Sequence, residues 1–217
     1  MQRKRVAILI SGRGSNMAAL ISAAADPAYP AEIALVVSNR PDAAGLARAN
    51  AAGVATRVVD HTKFGKDRAA FEQALDAELS SQRIDLVCLA GFMRLFTPWF
   101  VLRWQARLIN IHPALLPAFK GLDTHARALA AGVKLHGSSV HFLIPEMDSG
   151  PIIVQSAVPV RDDDTPETLG ARVLAAEHRI YPLALRWLAE GRLAVVDGRC
   201  KVAGASNHPD MLISPCD

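Results

Sequence analysis

The stretch Val6-Ala-Ile-Leu-Ile-Ser-Gly-Arg-Gly-Ser-Asn16 decides the fold. Its five leading apolar residues form a short buried strand, two glycines turn the chain, and a helical pattern begins at once. Strand, tight turn, helix is the opening of a βαβ unit, and the same alternation continues outward from it. Strands are expected at 6–10, 33–38, 55–59, 86–90 and 107–111, with helices at 16–24, 44–52, 66–81, 98–103 and 124–131. An α/β fold of Rossmann-like type follows, with a mainly parallel central sheet flanked by helices.

Beyond Gly132 the texture changes. The strand-like runs 135–143 and 152–160 are joined by Pro145-Glu-Met-Asp-Ser-Gly-Pro151, too short for a helical crossover, so this C-terminal portion is antiparallel. Thr165-Pro166-Glu167 then starts a long helix with a capping hydroxyl, a proline at the first helical position and an acid at the positive dipole end. The helix runs toward Glu190, bends near Pro182 and stops at Gly191. A small hairpin turns about Asp197-Gly198 within 193–202, and the last dozen residues read as loose. The reading is one domain over 1–217, with a phosphate-binding half over about 1–100, a second half over about 101–195 and a short tail over about 196–217.

Composition narrows the function classes. Of 217 residues, 51% are apolar and 21% charged, which excludes a disordered chain, a collagen repeat and a coiled coil. No apolar run approaches the ~20 residues of a helical span, and the basic start is followed by too short an apolar stretch for an export signal. Three cysteines, Cys88, Cys200 and Cys216, form neither an even framework nor a CxxC pair, so a reducing cytoplasm is the expected location. A net charge of +3, dispersed along the chain, predicts no nucleic-acid partner but suits small anionic ligands.

Ser11-Gly12-Arg13-Gly14-Ser15-Asn16 offers free amides at a helix start, an anion site suited to phosphate. A dinucleotide fingerprint would need glycine where Met17 stands and an acid where Ser38-Asn39-Arg40 stands, so a monophosphate fits better. The same residues also suit an ordinary βα turn capped by Ser15 or Asn16. Asn110 and His112 lie two apart on a strand and share a face at its carboxyl end, where α/β sheets bind ligands. There an amide donor beside an imidazole can stabilise a developing oxyanion, or the pair can simply close a strand before Pro113. Asp148 is either a turn former bonding its own backbone or a carboxylate that favours an imidazolium at His112. His136 and His141, five apart, point to opposite faces and read as hydrogen-bonding strand residues, with no metal site expected. Glu177 shares an apolar helix face with Val173 and Ile180, either as a boundary residue or as a ligand for a cation or hydroxyls.

Seven segments together give a resemblance. They are Leu9-Ile-Ser-Gly-Arg-Gly-Ser-Asn16, Val36-Val-Ser-Asn39, Leu89-Ala-Gly-Phe-Met-Arg94, Asn110-Ile-His-Pro-Ala-Leu-Leu-Pro117, His136-Gly-Ser-Ser-Val-His-Phe142, Asp148-Ser-Gly-Pro-Ile-Ile153 and Glu177-His-Arg-Ile-Tyr-Pro182. In order and spacing, from residue 5 to about residue 195, the chain resembles the phosphoribosylglycinamide formyltransferase family. The resemblance implies a single formyltransferase domain of purine synthesis that moves formyl from 10-formyltetrahydrofolate to the glycinamide amine without metal. Asn110, His112 and Asp148 match the family's catalytic trio, Gly14, Ser15 and Asn16 its phosphate loop, and Glu177 a contact to sugar and glycinamide. Arg68, Met93, Arg94, Leu95 and Phe96 match the folate site, with Asn110 and the loop Ile144, Pro145, Glu146, Met147 and Asp148.

Ala114 stands where the family usually has serine, and the loop at 144–147 is less polar than expected, which bears on one hydrogen bond and on the pterin contacts. The trio is shared with methionyl-tRNA formyltransferase, formyltetrahydrofolate hydrolase and sugar formyltransferases. The basic domain of the first and the regulatory domain of the second are not expected here, and the partners implied are small-molecule substrates, with a monomer or homodimer. A phosphosugar sensor built on a retired enzyme would be free to lose His112 or Asp148, and both are kept.

Overall fold

The computed structural model describes residues 2–205 and 214. Its centre is a seven-stranded sheet built from β1 (Lys4–Ile10), β2 (Ala31–Ser38), β3 (Thr56–Val58), β4 (Leu86–Leu89), β5 (Leu108–His112), β6 (Leu135–Phe142) and β7 (Ile152–Pro159). The spatial order is β3-β2-β1-β4-β5-β6-β7. The pairings β1·β2, β2·β3, β1·β4 and β4·β5 are parallel, whereas β5·β6 and β6·β7 are antiparallel. The expected change of texture after Gly132 is therefore a change of strand direction.

Among the described residues six α-helices cover the sheet: α1 (Ser15–Ala24), α2 (Ala44–Ala51), α3 (Arg68–Ser81), α4 (Pro98–Arg103), α5 (Thr124–Ala130) and α6 (Pro166–Ala189). From Val6 to Ile10 every residue of β1 is buried, as a parallel strand covered on both faces requires. Val6, Ile8 and Ile10 pack on the side of α1 and α6, and Ala7 and Leu9 pack on the side of α3 and α4. The period of two thus divides one strand between two cores. Thr165 caps α6 reciprocally with Thr168, and the helix continues through Pro182.

Several boundaries differ from the sequence reading for local reasons. Asp67 accepts from the Ala70 amide and starts α3 two residues later than expected. Strand β3 is only three residues long, and a 3-10 turn at His61–Phe64, which the apolar pattern does not mark, follows it under an Asp60 cap. Strand β5 reaches His112 itself. The terminal hairpin is present as β8 (Leu193–Val196) and β9 (Arg199–Val202), with Asp197 and Gly198 both at positive φ. The expected looseness of the last dozen residues lies outside the described residues, except at 214. Among the described residues, no helix is long and apolar enough to cross a membrane.

Candidate active site

The strand order reverses at β1, because β2 and β3 build to one side of it and β4 to β7 to the other. Such a switch point leaves a crevice between the loops that follow the two central strands. Here a cleft of about 380 Å³ lies there, lined by the 11–16 loop after β1, by Asn39, Arg40 and His61, and by Ala90, Gly91, Met93 and Arg94 after β4. A larger depression, about 670 Å³, opens between Arg3, Lys4, Arg5 and Arg83 at the opposite end of the sheet. Arg3 there bonds the carbonyls of Ala24 and Ala31, and Arg5 pairs with Glu32, so those cations are occupied in holding the fold.

Gly14 is the N-cap of α1, in the left-handed region at φ 70°, and no side chain caps the helix. The expected alternative of a turn capped by Ser15 or Asn16 is therefore not what forms. Asn16 instead donates from Nδ2 to the Glu177 carboxylate on α6 at 2.7 Å, and its own Oδ1 is buried with no partner among the described residues. Glu177 is 5% exposed and lies on the buried face with Val173 and Ile180. Burial pushes its carboxyl up to about 6, with the Asn16 bond acting in the opposite direction.

Strand β5 carries Asn110 and His112, and antiparallel pairing sets His141 of β6 opposite Asn110 and Ser139 opposite His112. The Asn110 Nδ2 lies 3.3 Å from His141 Nε2, and His141 Nδ1 lies 2.9 Å from the Phe142 carbonyl. A neutral His141 that donates from Nδ1 and accepts at Nε2 satisfies both contacts, and burial, the largest influence, lowers its affinity for a second proton. His112 is buried, with Nε2 3.0 Å from the Phe119 carbonyl oxygen and Nδ1 3.5 Å from Asp148 Oδ2. Both ring nitrogens face acceptors.

Asp148 reaches this position from a tight connection. Its φ of 49° is a left-handed conformation that aspartate tolerates, and a Cβ on Gly150 would lie 1.8 Å from the Phe142 carbonyl oxygen. Glycine there lets the loop lie against β6. The Asp148 carboxylate accepts from the Gly121 amide at 2.9 Å rather than from a neighbour in its own turn, and Oδ1 stands 3.8 Å from His141 Nε2. Asn110, His112 and Asp148 thus converge. His136, by contrast, does not make the strand hydrogen bond expected: among the described residues neither ring nitrogen has a partner within hydrogen-bond geometry, and the ring packs edge-on against Phe119 and His125.

Of the remaining expected residues, Met93 and Arg94 line the cleft. Met93, Leu95, Ile144 and Met147 leave apolar surface exposed, Arg94 is half-buried, and Phe96 stacks between Phe92 and Phe100. Pro145 and Glu146 are exposed in the same loop, where Glu146 stands 3.6 Å from Lys120 Nζ. Arg68 is exposed at the first turn of α3. His141 is the hydrogen-bonding strand residue expected, but sequence reasoning missed its place against Asn110, as well as the Phe119 carbonyl and a buried network in which Ser11 Oγ donates to Asn39 Oδ1 at 2.6 Å while accepting from the Met93 amide at 2.8 Å. His141 and the Ser11 network depend on partners 28 or more positions away, and Phe119 on a carbonyl seven positions from His112, although His141 and Asn39 both fall inside segments that carried the resemblance.

Comparison with known proteins bears on this arrangement as a whole. The formyl transferase family model matches residues 4–185. The phosphoribosylglycinamide formyltransferase of Escherichia coli (strain K12) is 45% identical over 204 residues, covering 94% of this chain and 96% of that protein. The trifunctional purine biosynthetic protein adenosine-3 of Bos taurus is 50% identical over 190 residues, 88% of this chain, and the chain spans only 19% of that relative's length. A crystal structure of phosphoribosylglycinamide formyltransferase from Brucella melitensis, 54% identical, superposes with a TM-score of 0.83 over 87% of this chain and 96% of that one.

Proposed function

The chain belongs to the formyl transferase family, and on that premise we propose that it transfers formyl from 10-formyltetrahydrofolate to the amine of 5'-phosphoribosylglycinamide, a step of purine biosynthesis. The observation that carries this reading is the His112 imidazole held between the Asp148 carboxylate and the Phe119 carbonyl, with the Asn110 amide on the same strand face and the glycine loop in the adjacent crevice. The enzyme is a one-carbon group transferase acting on small molecules.

The amides at Gly14, Ser15 and Asn16 hold the acceptor's phosphate at the start of α1, where the helix dipole favours an anion. Glu177 faces the sugar hydroxyls and the glycinamide. The folate lies along Arg68 and the surface of Met93, Arg94, Leu95 and Phe96, and meets the loop 144–148. The amine attacks the formyl carbon, and the carbonyl oxygen takes up negative charge. Asn110 and protonated His112 stabilise that oxyanion, with the Nε2–H that now meets Phe119 as the imidazole donor. Asp148 supports the imidazolium and orders a water that carries the proton from the attacking amine to the departing folate nitrogen. Collapse of the tetrahedral species leaves formyl on the amine and releases tetrahydrofolate.

The test is a transfer assay with both substrates, run beside a reaction that lacks the acceptor. Formyl recovered on the amine, with little formate released in the control, is the expected result. Formate at equal rates with and without acceptor assigns the site to hydrolysis instead.

A further inference from the structure

A buried carboxylate outside the catalytic cluster has its two oxygens directed at one residue. Glu72, on the second turn of α3, is 1% exposed. It accepts from the Thr97 backbone amide at 2.6 Å and from the Thr97 hydroxyl. Burying a carboxylate is costly unless such bonds satisfy it. Thr97 is the N-cap of α4, and its hydroxyl donates to Glu72 while making no cap bond to that helix. The carboxylate thus anchors to α3 the junction at which the segment 93–96 enters α4.

What lies next to it is the segment 93–96. Among the described residues these four make no backbone–backbone hydrogen bond. Their placement rests on Ser11, which accepts from the Met93 amide at one end, on Glu72 at the other, and on the Phe96 ring, 5.3 Å from Phe92 and 4.3 Å from Phe100. Met93, which lines the cleft, and Leu95 are left 69% and 59% exposed. One turn further along α3, Asp76 accepts from Trp104 Nε1 at 2.9 Å, so the same helix face holds α4 at its other end too. The strap carrying Met93 and Leu95 is tied down at both ends by side chains and, among the described residues, makes no backbone–backbone hydrogen bond of its own.

We infer that Glu72 is a positioning residue for the folate subsite: through Thr97 it fixes the segment 93–96 so that Met93 and Leu95 present a preformed apolar wall to the cosubstrate. This rests on the placement of folate proposed above. Preforming a wall lowers the ordering cost of binding, so its loss falls on folate affinity rather than on the chemical step.

Steady-state kinetics, with each substrate varied in turn, separate these effects. Glu72→Leu fills the volume but removes both acceptors, and is expected to raise the folate KM about tenfold while kcat and the acceptor KM stay within about threefold. Glu72→Gln keeps an acceptor for the Thr97 amide and recovers most of that loss. Thr97→Val removes only the hydroxyl donor and gives a smaller rise; it also decides the matter should Glu72→Leu fail to fold. A folate KM that does not move, a Gln variant no better than Leu, or a parallel fall in all three parameters overturns the inference. Leu95→Asp is the control on the underlying placement. If it weakens folate while the Glu72 and Thr97 variants do not, the positioning role alone is wrong; if it too leaves folate binding unchanged, the folate placement is wrong.

Discussion

The parallel and antiparallel halves of the sheet supply different kinds of chemistry. Parallel β1, β2 and β4 end in loops and helix starts, so they deliver mostly backbone groups and loop side chains: the turn around Gly14, the Ser11–Asn39 bond and the Met93 amide. Antiparallel pairing sets residues of two strands directly opposite one another, so β5 and β6 deliver side chains in register, Asn110 against His141 and His112 against Ser139. Binding groups can come from loops whose local sequence fixes them. The antiparallel half instead sets Asn110, His112 and His141 on one strand surface, with Asp148 brought against them from the loop between β6 and β7.

The comparison breaks most sharply if chemistry can be lost without binding. His112→Ala and Asn110→Ala are each expected to lower kcat by ~10²–10³ while both substrates still bind, because the charge they meet exists only in the transition state. Asp148→Asn is the more informative variant, since asparagine also tolerates the left-handed backbone at φ 49° and keeps the shape. Its kcat should fall by at least about tenfold, with unchanged affinities in calorimetry. Near-normal kcat would return Asp148 to being a turn residue.

The reverse break, binding lost with chemistry intact, belongs to the parallel half, and the two glycines of the loop separate two effects. A Cβ on Gly14 would meet Gly45 Cα at 3.2 Å and Met17 Cε at 3.0 Å at a φ of 70°, so substitution there strains the fold. Gly14→Ala should cost roughly 1–2 kcal/mol of stability, read by chemical denaturation. Gly12 lines the cleft with nothing within 4 Å of its Cβ position. Gly12→Val should therefore weaken the acceptor by about tenfold and leave the folate KM and the melting temperature in place. Equal losses for both ligands would show that the loop is not specific to the acceptor.

The two halves were unequally legible in the sequence for the same reason. The turn after β1 is written in consecutive residues, as are the buried run of β1 and the capped start of α6. The role of His141 is written in a register with Asn110, 31 positions away, and the role of Phe119 in a carbonyl that composition cannot mark. Counting parity along β6 separates His136 from His141 but does not say which of them meets β5 on its reactive face. Asp148 shows the intermediate case: its turn was legible, but the acceptance from Gly121 comes from a separate loop. Glu72 carried no signal at all, since an acid on a helix of otherwise mixed polarity reads as a solvated position until Thr97 is brought against it.

Glu177 joins the halves, because α6 carries it to the loop after β1, and it gives the smallest and most direct test. Burial raises its carboxyl from an ordinary 4.5 to about 6, so between those values the folded protein holds a proton that the unfolded chain has released. Stability contributed by this group therefore falls as pH rises through that window and is level above it. The difference corresponds to about 2 kcal/mol, so the stability of Glu177→Gln should gain on that of the parent by about that amount between pH 4.5 and pH 7. Binding runs the other way. The acceptor's hydroxyls and amine are better met by the carboxylate, so acceptor affinity should weaken as pH falls through about 6 in the parent and stay flat, at a lower level, in Glu177→Gln. Acceptor titrations at several pH values, paired with denaturation curves, read both. A parent whose acceptor affinity shows no inflection near pH 6 would leave Glu177 as a buried brace for Asn16 and remove it from the acceptor site.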